Sequence, residues 1–325
     1  MMEKFSELQS RTLRSLDIVT SAYNEQESLG PLYQRICRVM EKYPNCKWRL
    51  LIADNNSSDQ TWPVIKQLAA SDLRVVAYRF SRKFNLDSAL TCGLDLAKAE
   101  AIVLMCSDLQ DPPELITKFI DGYEQGYDQV VGKVISREGA SWQQRLFVKL
   151  FYRIINKLSK DLIRENVSDF RLASKACYEA ARSLREQKRF LRGQFSWVGF
   201  KTQEVEFVRP NREFGESHFS IDGLKTNLPT ALLSIFAHSS SPLFFLAILG
   251  IFLGGLSVVS LIACILFWLL WGVPFAGFGI IVSLLVGLIA SVFGGIGLVA
   301  FYISAIYDEV KNRPLYVVSD SVNLK

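Results

Sequence analysis

The chain has 325 residues, half of them hydrophobic, with 37 basic residues against 32 acidic ones. Its two histidines, His218 and His238, are too few for a multi-histidine zinc site. The six cysteines form no C-x-x-C pair, which argues against a zinc ribbon or a disulfide framework and predicts a reducing compartment for the charged part of the chain. The first sixteen residues lack the apolar core of a secretory signal peptide.

Charge is distributed very unevenly along the chain. No Asp, Glu, Lys or Arg occurs between Lys225 and Asp308, whereas residues 1–225 hold 63 of the 69 charged side chains. We therefore expect a charged globular domain followed by a membrane segment.

Short β-branched runs alternate with periodic helical stretches in the globular part. The predicted strands are residues 16–23, 49–54, 74–80, 101–108 and 129–134. The helices between them are predicted to begin near Ser28, Asp59, Leu86 and Pro113. Strict alternation of strand and helix predicts an α/β fold with a mostly parallel sheet and crossover helices.

Polar residues follow each of the first four predicted strands. They are Asn24 and Glu25, then Asp54, Asn55 and Asn56, then Arg82 and Lys83, and finally Asp108, Gln110 and Asp111. Ligands of open parallel sheets bind at the carboxyl ends of the strands, so this mixture of carboxylates, amides and cations predicts a charged ligand. Asp111 has an alternative role as the cap of a helix beginning at Pro112 and Pro113. The chain has no P-loop and no G-x-G-x-x-G after its first strand, which disfavours the usual nucleotide folds.

Residues 142–160, WQQRLFVKLFYRIINKLSK, form one apolar helical face beside cations at every fourth position, namely Arg145, Lys149, Arg153 and Lys157. This pattern is typical of a helix that lies in a membrane interface. The alternative is an ordinary helix packed on the sheet with a solvated basic edge.

The apolar segment 242–307 is long enough for two membrane-spanning helices, near 243–271 and 279–304, separated by GVPFAGFG at 272–279. Residues 223–241 are predicted to form a juxtamembrane helix. Basic residues on both flanks place both ends in the cytoplasm. Glycines in both spans would let helices approach closely, within the chain or in a homo-oligomer. The alternative is a buried hydrophobic hairpin of a soluble protein.

Seven short motifs occur in order along the charged part of the chain. They are YNEQESL (23–29), DNNSSDQT (54–61), SDLQDPPE (107–114), SDFRL (168–172), FLRG (190–193), WVGF (197–200) and REFGES (212–217). In this combination they resemble the family 2 glycosyltransferases of the GT-A fold that load a sugar onto polyprenyl phosphate, namely dolichol-phosphate mannose synthases and bactoprenol glucosyltransferases. The resemblance covers about residues 16–222 and extends to a two-helix anchor. It implies a cytoplasmic GT-A domain over 1–222 and a cytoplasmic tail over 308–325.

The resemblance also implies roles for particular residues. Those expected to bind the nucleotide sugar are Tyr23, Glu25, Asp54, Asn55 and Lys83. Asp108 and Gln110 would hold Mg²⁺ or Mn²⁺ on the donor diphosphate, because hard cations prefer oxygen ligands. Asp108 and Asp169 are the candidate catalytic residues. The cations expected near the acceptor phosphate are Lys133, Arg137, Arg171, Arg192 and Arg212, with Arg209 beside them.

The sequence departs from the family pattern at three positions. Asn55 stands where the family usually has a second Asp, Cys106 stands where it has the first Asp of a D-x-D turn, and Ser21 stands where it often has Pro. The first departure alters a residue expected to contact the nucleotide base, and the second removes a carboxylate from the expected metal site.

The predicted activity is inverting transfer of a hexose, with glucose from UDP-glucose as the first choice, to undecaprenyl or another polyprenyl phosphate. The enzyme is expected to be a multi-pass protein of the cytoplasmic membrane, acting at its cytoplasmic face. Its expected partners are the nucleotide sugar, the polyprenyl phosphate and the bilayer, and no nucleic acid. Two alternatives are a GDP-mannose-dependent synthase of the dolichol type and a non-catalytic membrane adaptor. A processive polysaccharide synthase is disfavoured because the chain lacks Q-x-x-R-W and has room for only two spans.

Overall fold

The computed structural model describes residues 11–137, 167–187, 189–211 and 278–324, together with eight single positions between 252 and 270. The chain divides into two compact units, one of residues 1–224 with 314–325 and the other of residues 225–313. The predicted interfacial helix at 142–160 and the predicted juxtamembrane helix at 223–241 lie outside the described residues.

The first unit contains an eight-stranded mixed sheet in the order β7-β5-β6-β4-β1-β2-β3-β8. Its strands are β1 (Ser15–Ala22), β2 (Lys47–Asp54), β3 (Val75–Phe80), β4 (Ala101–Cys106), β5 (Gln129–Arg137), β6 (Val167–Ser174), β7 (Thr202–Arg209) and β8 (Val318–Val322). β1 pairs in parallel with β2 and β4, and β2 with β3, so the predicted parallel core is confirmed. β6 and β8 run antiparallel to their neighbours. These two strands and β7 were not among the predicted strands.

Helices cover both faces of this sheet. Those described in the first unit are α1 (Leu29–Met40), α2 (Thr61–Ser71), α3 (Leu86–Leu96), α4 (Ile116–Glu124), α5 (Lys175–Ser183) and α6 (Leu191–Trp197). α1, α2 and α4 pack on one face, and α3, α5 and α6 on the other. Ile18 belongs to the first apolar cluster and Val19 to the second, because successive side chains of a strand point to opposite faces. Burial on both faces explains why the central strands read as continuous apolar runs.

Close packing holds α3 against the central strand. A Cβ atom on Gly93 would lie only 2.1 Å from Cγ1 of Val19, so this position of α3 has no room for a side chain. This contact packs α3 closely against β1.

The last described strand, β8, comes from the chain terminus. It pairs antiparallel with β3, with Ala77 opposite Val322 and Arg79 opposite Asp320. Tyr316 packs against one apolar cluster and Val322 against the other. The segment expected to be a simple tail therefore covers an edge of the sheet.

The second unit contains a 33-residue helix, α7 (Phe278–Val310). Its part from Gly287 to Val310 has a mean hydropathy of 2.1 and is long and apolar enough to cross a membrane; it is the one such helix in the described part of the chain. Large apolar side chains along it are exposed, including Phe293 at 69% and Ile303 at 60%. The predicted span at 279–304 lies within this helix. Of the other predicted span, 243–271, only single positions are described.

Candidate active site

The turns after β1, β2 and β4 lie side by side at the carboxyl edge of the sheet. The amide of Asn55 donates to the carbonyl of Ala22 (2.8 Å), and the hydroxyl of Ser107 donates to the carbonyl of Ser21 (2.7 Å). Three residues that are not glycine have a positive φ in the described structure of these turns, namely Asn24 (56°), Asn56 (58°) and Leu109 (62°). A leucine in this conformation is strained, and such strain is concentrated at functional sites.

Asp54 ends β2 and is completely buried. One carboxylate oxygen accepts from the amide and hydroxyl of Ser57, and the other lies 3.3 Å from Nε of Arg79. Burial raises the pKa of Asp54, although the Ser57 hydrogen bonds and Arg79 act in the opposite direction. The Arg79 Nη2 also donates to the carbonyl of Ser57 (3.0 Å), so this arginine stabilises both the carboxylate and its turn.

Asn55 holds the loop that follows β3. Its side-chain amide donates to the carbonyl of Phe84 (2.8 Å), and its side-chain oxygen accepts from the amide of the same residue (2.7 Å). In that loop, Nζ of Lys83 lies 3.5 Å from the centroid of the Tyr23 ring. The structure therefore brings Tyr23, Asn55 and Lys83 together, with the Asn55 side chain contacting the loop backbone.

Glu25 stabilises the turn after β1. Its Oε2 accepts from the hydroxyl of Ser28 (2.6 Å), and its backbone amide donates to the hydroxyl of Thr61 (2.8 Å). Glu25 is only 8% exposed, so it lies beneath the turn that carries Tyr23.

Asp108 and Gln110 follow β4, on either side of the buried Leu109, and both are partly exposed. An oxygen of Asp108 accepts from the Gln110 amide (3.1 Å), which fixes the turn. Within the described residues, no group of three or more His, Cys, Asp or Glu side chains could hold a metal ion by itself. One carboxylate and one amide oxygen still fit Mg²⁺ or Mn²⁺, since Mg²⁺ is usually bound by one or two carboxylates together with substrate phosphates.

Asp111 lies in the site, and its alternative role as a helix cap is wrong. One oxygen accepts from the amide of Cys106 (3.0 Å), the other lies 3.3 Å from Nη2 of Arg209, and the short 3₁₀ turn Pro113–Leu115 has no side-chain cap. Burial raises the pKa of Asp111, against the effect of Arg209. Burial and the nearby carboxylates also raise the pKa of the Cys106 thiol well above its usual value, so the thiol is protonated at neutral pH and is a poor ligand for a hard cation.

Asp169, on β6, forms a bidentate ion pair with Arg192 of α6. The distances are 3.1 Å from Nε to Oδ1 and 2.7 Å from Nη2 to Oδ2. Burial alone would raise the pKa of Asp169, but Arg192, Arg171 and Arg209 outweigh it, and the pKa lies below its usual value. Asp169 is therefore an ionised group held by cations, which makes it a poor proton acceptor.

The structure gives Arg171 a different environment from the one predicted. Its side chain is only 2% exposed, and its guanidinium donates to Oε1 of Gln129 (3.0 Å) and to the carbonyl of Ser168 (3.0 Å). Burial lowers its pKa to about 10. Arg171 thus supports β6 from inside the protein, and the expectation that it contacts the acceptor phosphate is not retained.

The other predicted acceptor cations are engaged or lie outside the described side chains. Lys133 lies 2.9 Å from Glu204 of the neighbouring strand, and Arg192 is paired with Asp169. The backbone of Arg137 ends β5, but its side chain, and all of Arg212, lie outside the described structure.

Arg79 and Asp87 were not among the predicted site residues. Arg79 lies near the end of β3, and its charge in an otherwise apolar strand is the sequence signal that could have identified it. Asp87, in the first turn of α3, accepts from the amide of Leu191 (3.2 Å). Burial, reinforced by the charge of Asp169, raises the pKa of Asp87 to about 6. Nothing in the local sequence indicates that it lies near Asp169, 82 positions later.

Comparison with known proteins identifies the family of the chain. The family model described as glycosyl transferase family 2 matches residues 17–181. The chain is 35% identical over 309 residues to the SfII prophage-derived bactoprenol glucosyl transferase of Shigella flexneri, covering 94% of this chain and 98% of that protein. It is 33% identical over 311 residues to the uncharacterized glycosyltransferase YkcC of Bacillus subtilis, covering 95% and 94%.

A solved structure of glucosyl-3-phosphoglycerate synthase from Mycobacterium tuberculosis, in complex with Mn²⁺, uridine diphosphate and phosphoglyceric acid, has a TM-score of 0.49 at 20% identity. The match covers 68% of this chain and 78% of that one. The family assignment depends on the sequence matches, which confirm the resemblance carried by the ordered motifs. With its mostly parallel GT-A sheet, the chain belongs to glycosyl transferase family 2 and is a glycosyltransferase.

Proposed function

We propose that this glycosyltransferase transfers glucose from UDP-glucose to a polyprenyl phosphate, with inversion at the anomeric carbon, at the cytoplasmic face of a membrane. The observation that supports this most strongly is the 35% identity to a bactoprenol glucosyl transferase over 94% of the chain. That match includes the apolar segment as well as the sheet domain, so it extends to the part of the chain that would meet a lipid acceptor.

The donor would bind at the turns after β1, β2 and β3. Tyr23 and the ammonium group of Lys83 lie together there, and Lys83 is next in the chain to Phe84, whose backbone Asn55 holds. The buried Asp54 and Glu25 support the same turns. An aromatic ring next to a cation suits a base and a diphosphate, because the ring offers a stacking surface and the cation offers charge.

A divalent cation would be held by Asp108 and Gln110 together with oxygens of the donor diphosphate. When bound, Mg²⁺ or Mn²⁺ neutralises charge that develops on the departing nucleoside diphosphate. Because the described residues provide so few anionic ligands there, we expect the protein to bind the cation much more tightly with nucleotide than without it.

The nucleophile would be an oxygen of the lipid phosphate. The second pKa of a phosphomonoester is about 6, so this group is largely dianionic at neutral pH and needs little help from a base. Asp169, ionised and paired with Arg192, would orient that arginine and, through it, the lipid phosphate. Arg209 has a buried Nε with no hydrogen-bond acceptor in the described structure, and we assign it a phosphate oxygen as partner.

The test is to incubate membranes containing the full chain with polyprenyl phosphate and labelled UDP-glucose, GDP-mannose or other donors. We expect a lipid carrying one glucose from UDP-glucose, and no product in EDTA. The Asp108→Asn enzyme should fold and give no product, whereas Asp121→Asn, at an exposed position of α4, should match the wild type.

Other products would favour the alternatives. A mannosyl lipid formed from GDP-mannose would indicate the dolichol-type synthase, and a polymer would indicate a processive enzyme. Failure of every donor with folded protein would favour the non-catalytic adaptor. Full activity in EDTA would contradict the metal assignment.

A further inference from the structure

The segment after α7 is bound to the sheet domain by many contacts. Beyond the β3–β8 pairing, the side chain of Asn323 donates to the carbonyls of Ala69 (2.7 Å) and Val75 (3.0 Å). The hydroxyl of Tyr316 donates to Asp95 of α3 (2.8 Å). We call residues 316–323 the tail strand segment. Without it, the apolar strand β3 would be an exposed edge.

One series of contacts leads from this segment to the donor turns through aromatic rings. The ring of Tyr316 is stacked on Phe80, with centroids 5.6 Å apart and planes at 21°. Phe80 meets Phe84 edge-on at the same centroid distance, 5.6 Å. The backbone of Phe84 is the group clamped by Asn55. The tail strand segment therefore packs behind the loop that carries Lys83.

A second series of contacts leads to the buried carboxylate. Asp320 lies opposite Arg79 in the sheet and accepts from Nε1 of Trp62 (3.2 Å). The Arg79 guanidinium carbon lies 5.9 Å from the centroid of the Trp62 ring, and its Nε lies 3.3 Å from Asp54. The hydroxyl of Ser319 donates to the Arg79 carbonyl (3.1 Å). The first series thus ends at Asn55 and the second at Asp54, the two residues where β2 gives way to its turn.

We propose that the tail strand segment is a positioning element of the donor site, acting through Phe84 and Arg79 on Asn55 and Asp54. The inference rests on the proposed function in taking these turns to be the donor site. Its effect follows from populations: if the turns are ordered for only a fraction of the time, the apparent dissociation constant of the nucleotide rises by the inverse of that fraction. Because the segment comes after α7 in the chain, nucleotide affinity would depend on residues that follow the apolar segment in sequence.

The test uses the full chain in detergent and measures calorimetric binding of UDP and the Michaelis constants of UDP-glucose and polyprenyl phosphate. Tyr316→Ala removes the stacked ring and should weaken UDP binding by up to about tenfold, the ratio that corresponds to loss of a whole aromatic pair. Tyr316→Phe keeps the ring and should restore affinity to within about twofold of the wild type. Val317→Ala is the matched control, because only the backbone carbonyl of Val317 bonds to the sheet domain in the described contacts, to the amide of Ser81.

The pattern across substrates separates positioning from general loss of structure. We expect the Michaelis constant of UDP-glucose to rise in Tyr316→Ala while that of the lipid stays constant and circular dichroism is unchanged. Asp320→Ala should weaken UDP binding in the same way, and Asp320→Asn less so. Unchanged UDP affinity in both alanine variants, or an equal rise for both substrates, would overturn the inference alone. A wild-type protein that binds neither UDP nor GDP would overturn the proposed function and this inference with it.

Discussion

At the scale of single residues, neighbouring carboxylates of the site hold their protons differently. Asp169 has a lowered pKa because three guanidinium groups outweigh its burial. Asp87 has a raised pKa of about 6, first because it is buried and then because the charge of Asp169 repels its own. Asp169 therefore stays ionised at all ordinary pH values, whereas Asp87 changes charge near pH 6.

This difference predicts a pH-dependent stability. Between pH 4 and pH 6 folded Asp87 keeps a proton that the unfolded chain has released, so the free energy of unfolding falls as pH rises through this window and is level above it. Because each pKa unit is worth about 1.4 kcal/mol, the rise from 3.8 to about 6 corresponds to at most about 3 kcal/mol. Asp87→Asn, which cannot ionise, should therefore raise the melting temperature, and by clearly more at pH 8 than at pH 4.5.

A second variant separates charge from hydrogen bonding at this position. Asp87→Ala loses the acceptor for the Leu191 amide and should be less stable than Asp87→Asn by about 1 kcal/mol at both pH values. Thermal unfolding of the full chain at the two pH values is the measurement. An equal advantage of asparagine at pH 4.5 and pH 8 would contradict the assignment.

At the scale of elements, the basic amphipathic segment 142–160 remains a sequence-based prediction. Neutralising Lys149, Arg153 and Lys157 together should raise the Michaelis constant for the lipid acceptor and leave UDP affinity unchanged. A cation near an anionic membrane surface contributes about 1 kcal/mol, so the triple variant should show an effect of more than about tenfold.

The control for this variant removes the same amount of charge elsewhere. Lys42, Lys47 and Lys66 are exposed lysines of the sheet domain, and their joint neutralisation should leave lipid kinetics unchanged. Equal effects of the two triple variants would point to net charge. No effect of either would mean that the segment is an ordinary helix packed on the sheet.

At the scale of the whole molecule, the chain leaves the sheet domain before the apolar segment and re-enters it afterwards. Residues 314–325 belong to the same compact unit as residues 1–224, and β8 is paired within that unit. If the sheet domain lies on one side of a membrane that the intervening segment crosses, the number of crossings is even. Since α7 can supply one, we expect a second crossing before Phe278.

Cysteine labelling tests this topology. A cysteine introduced by Phe275→Cys should react in intact cells with a reagent that does not cross the membrane. Leu324→Cys, at an exposed position of the sheet unit, should react only after the membrane is opened. Labelling of both in intact cells, or of neither, would contradict the two-span arrangement.

The sequence by itself determined most of the elements of the parallel core, because these depend on local periodicity. Five strands, the start of each crossover helix and the apolar segment followed from the spacing of hydrophobic residues, and strand ends such as Asp54 and Asp108 followed from the rule for parallel sheets. Strands and helices have their own periods over short stretches, so a single pass along the chain detects them.

Tertiary structure decided which distant groups meet. Arg171 is buried against Gln129 instead of facing a phosphate, Asp111 turns to Arg209 instead of capping a helix, and β8 pairs with a strand about 240 positions earlier. The short polar sequence of β8 has no strong strand pattern, because an edge strand is exposed and its pairing is set by the partner. Contacts of this kind depend on how the whole chain folds, and no local pattern of residue types encodes them.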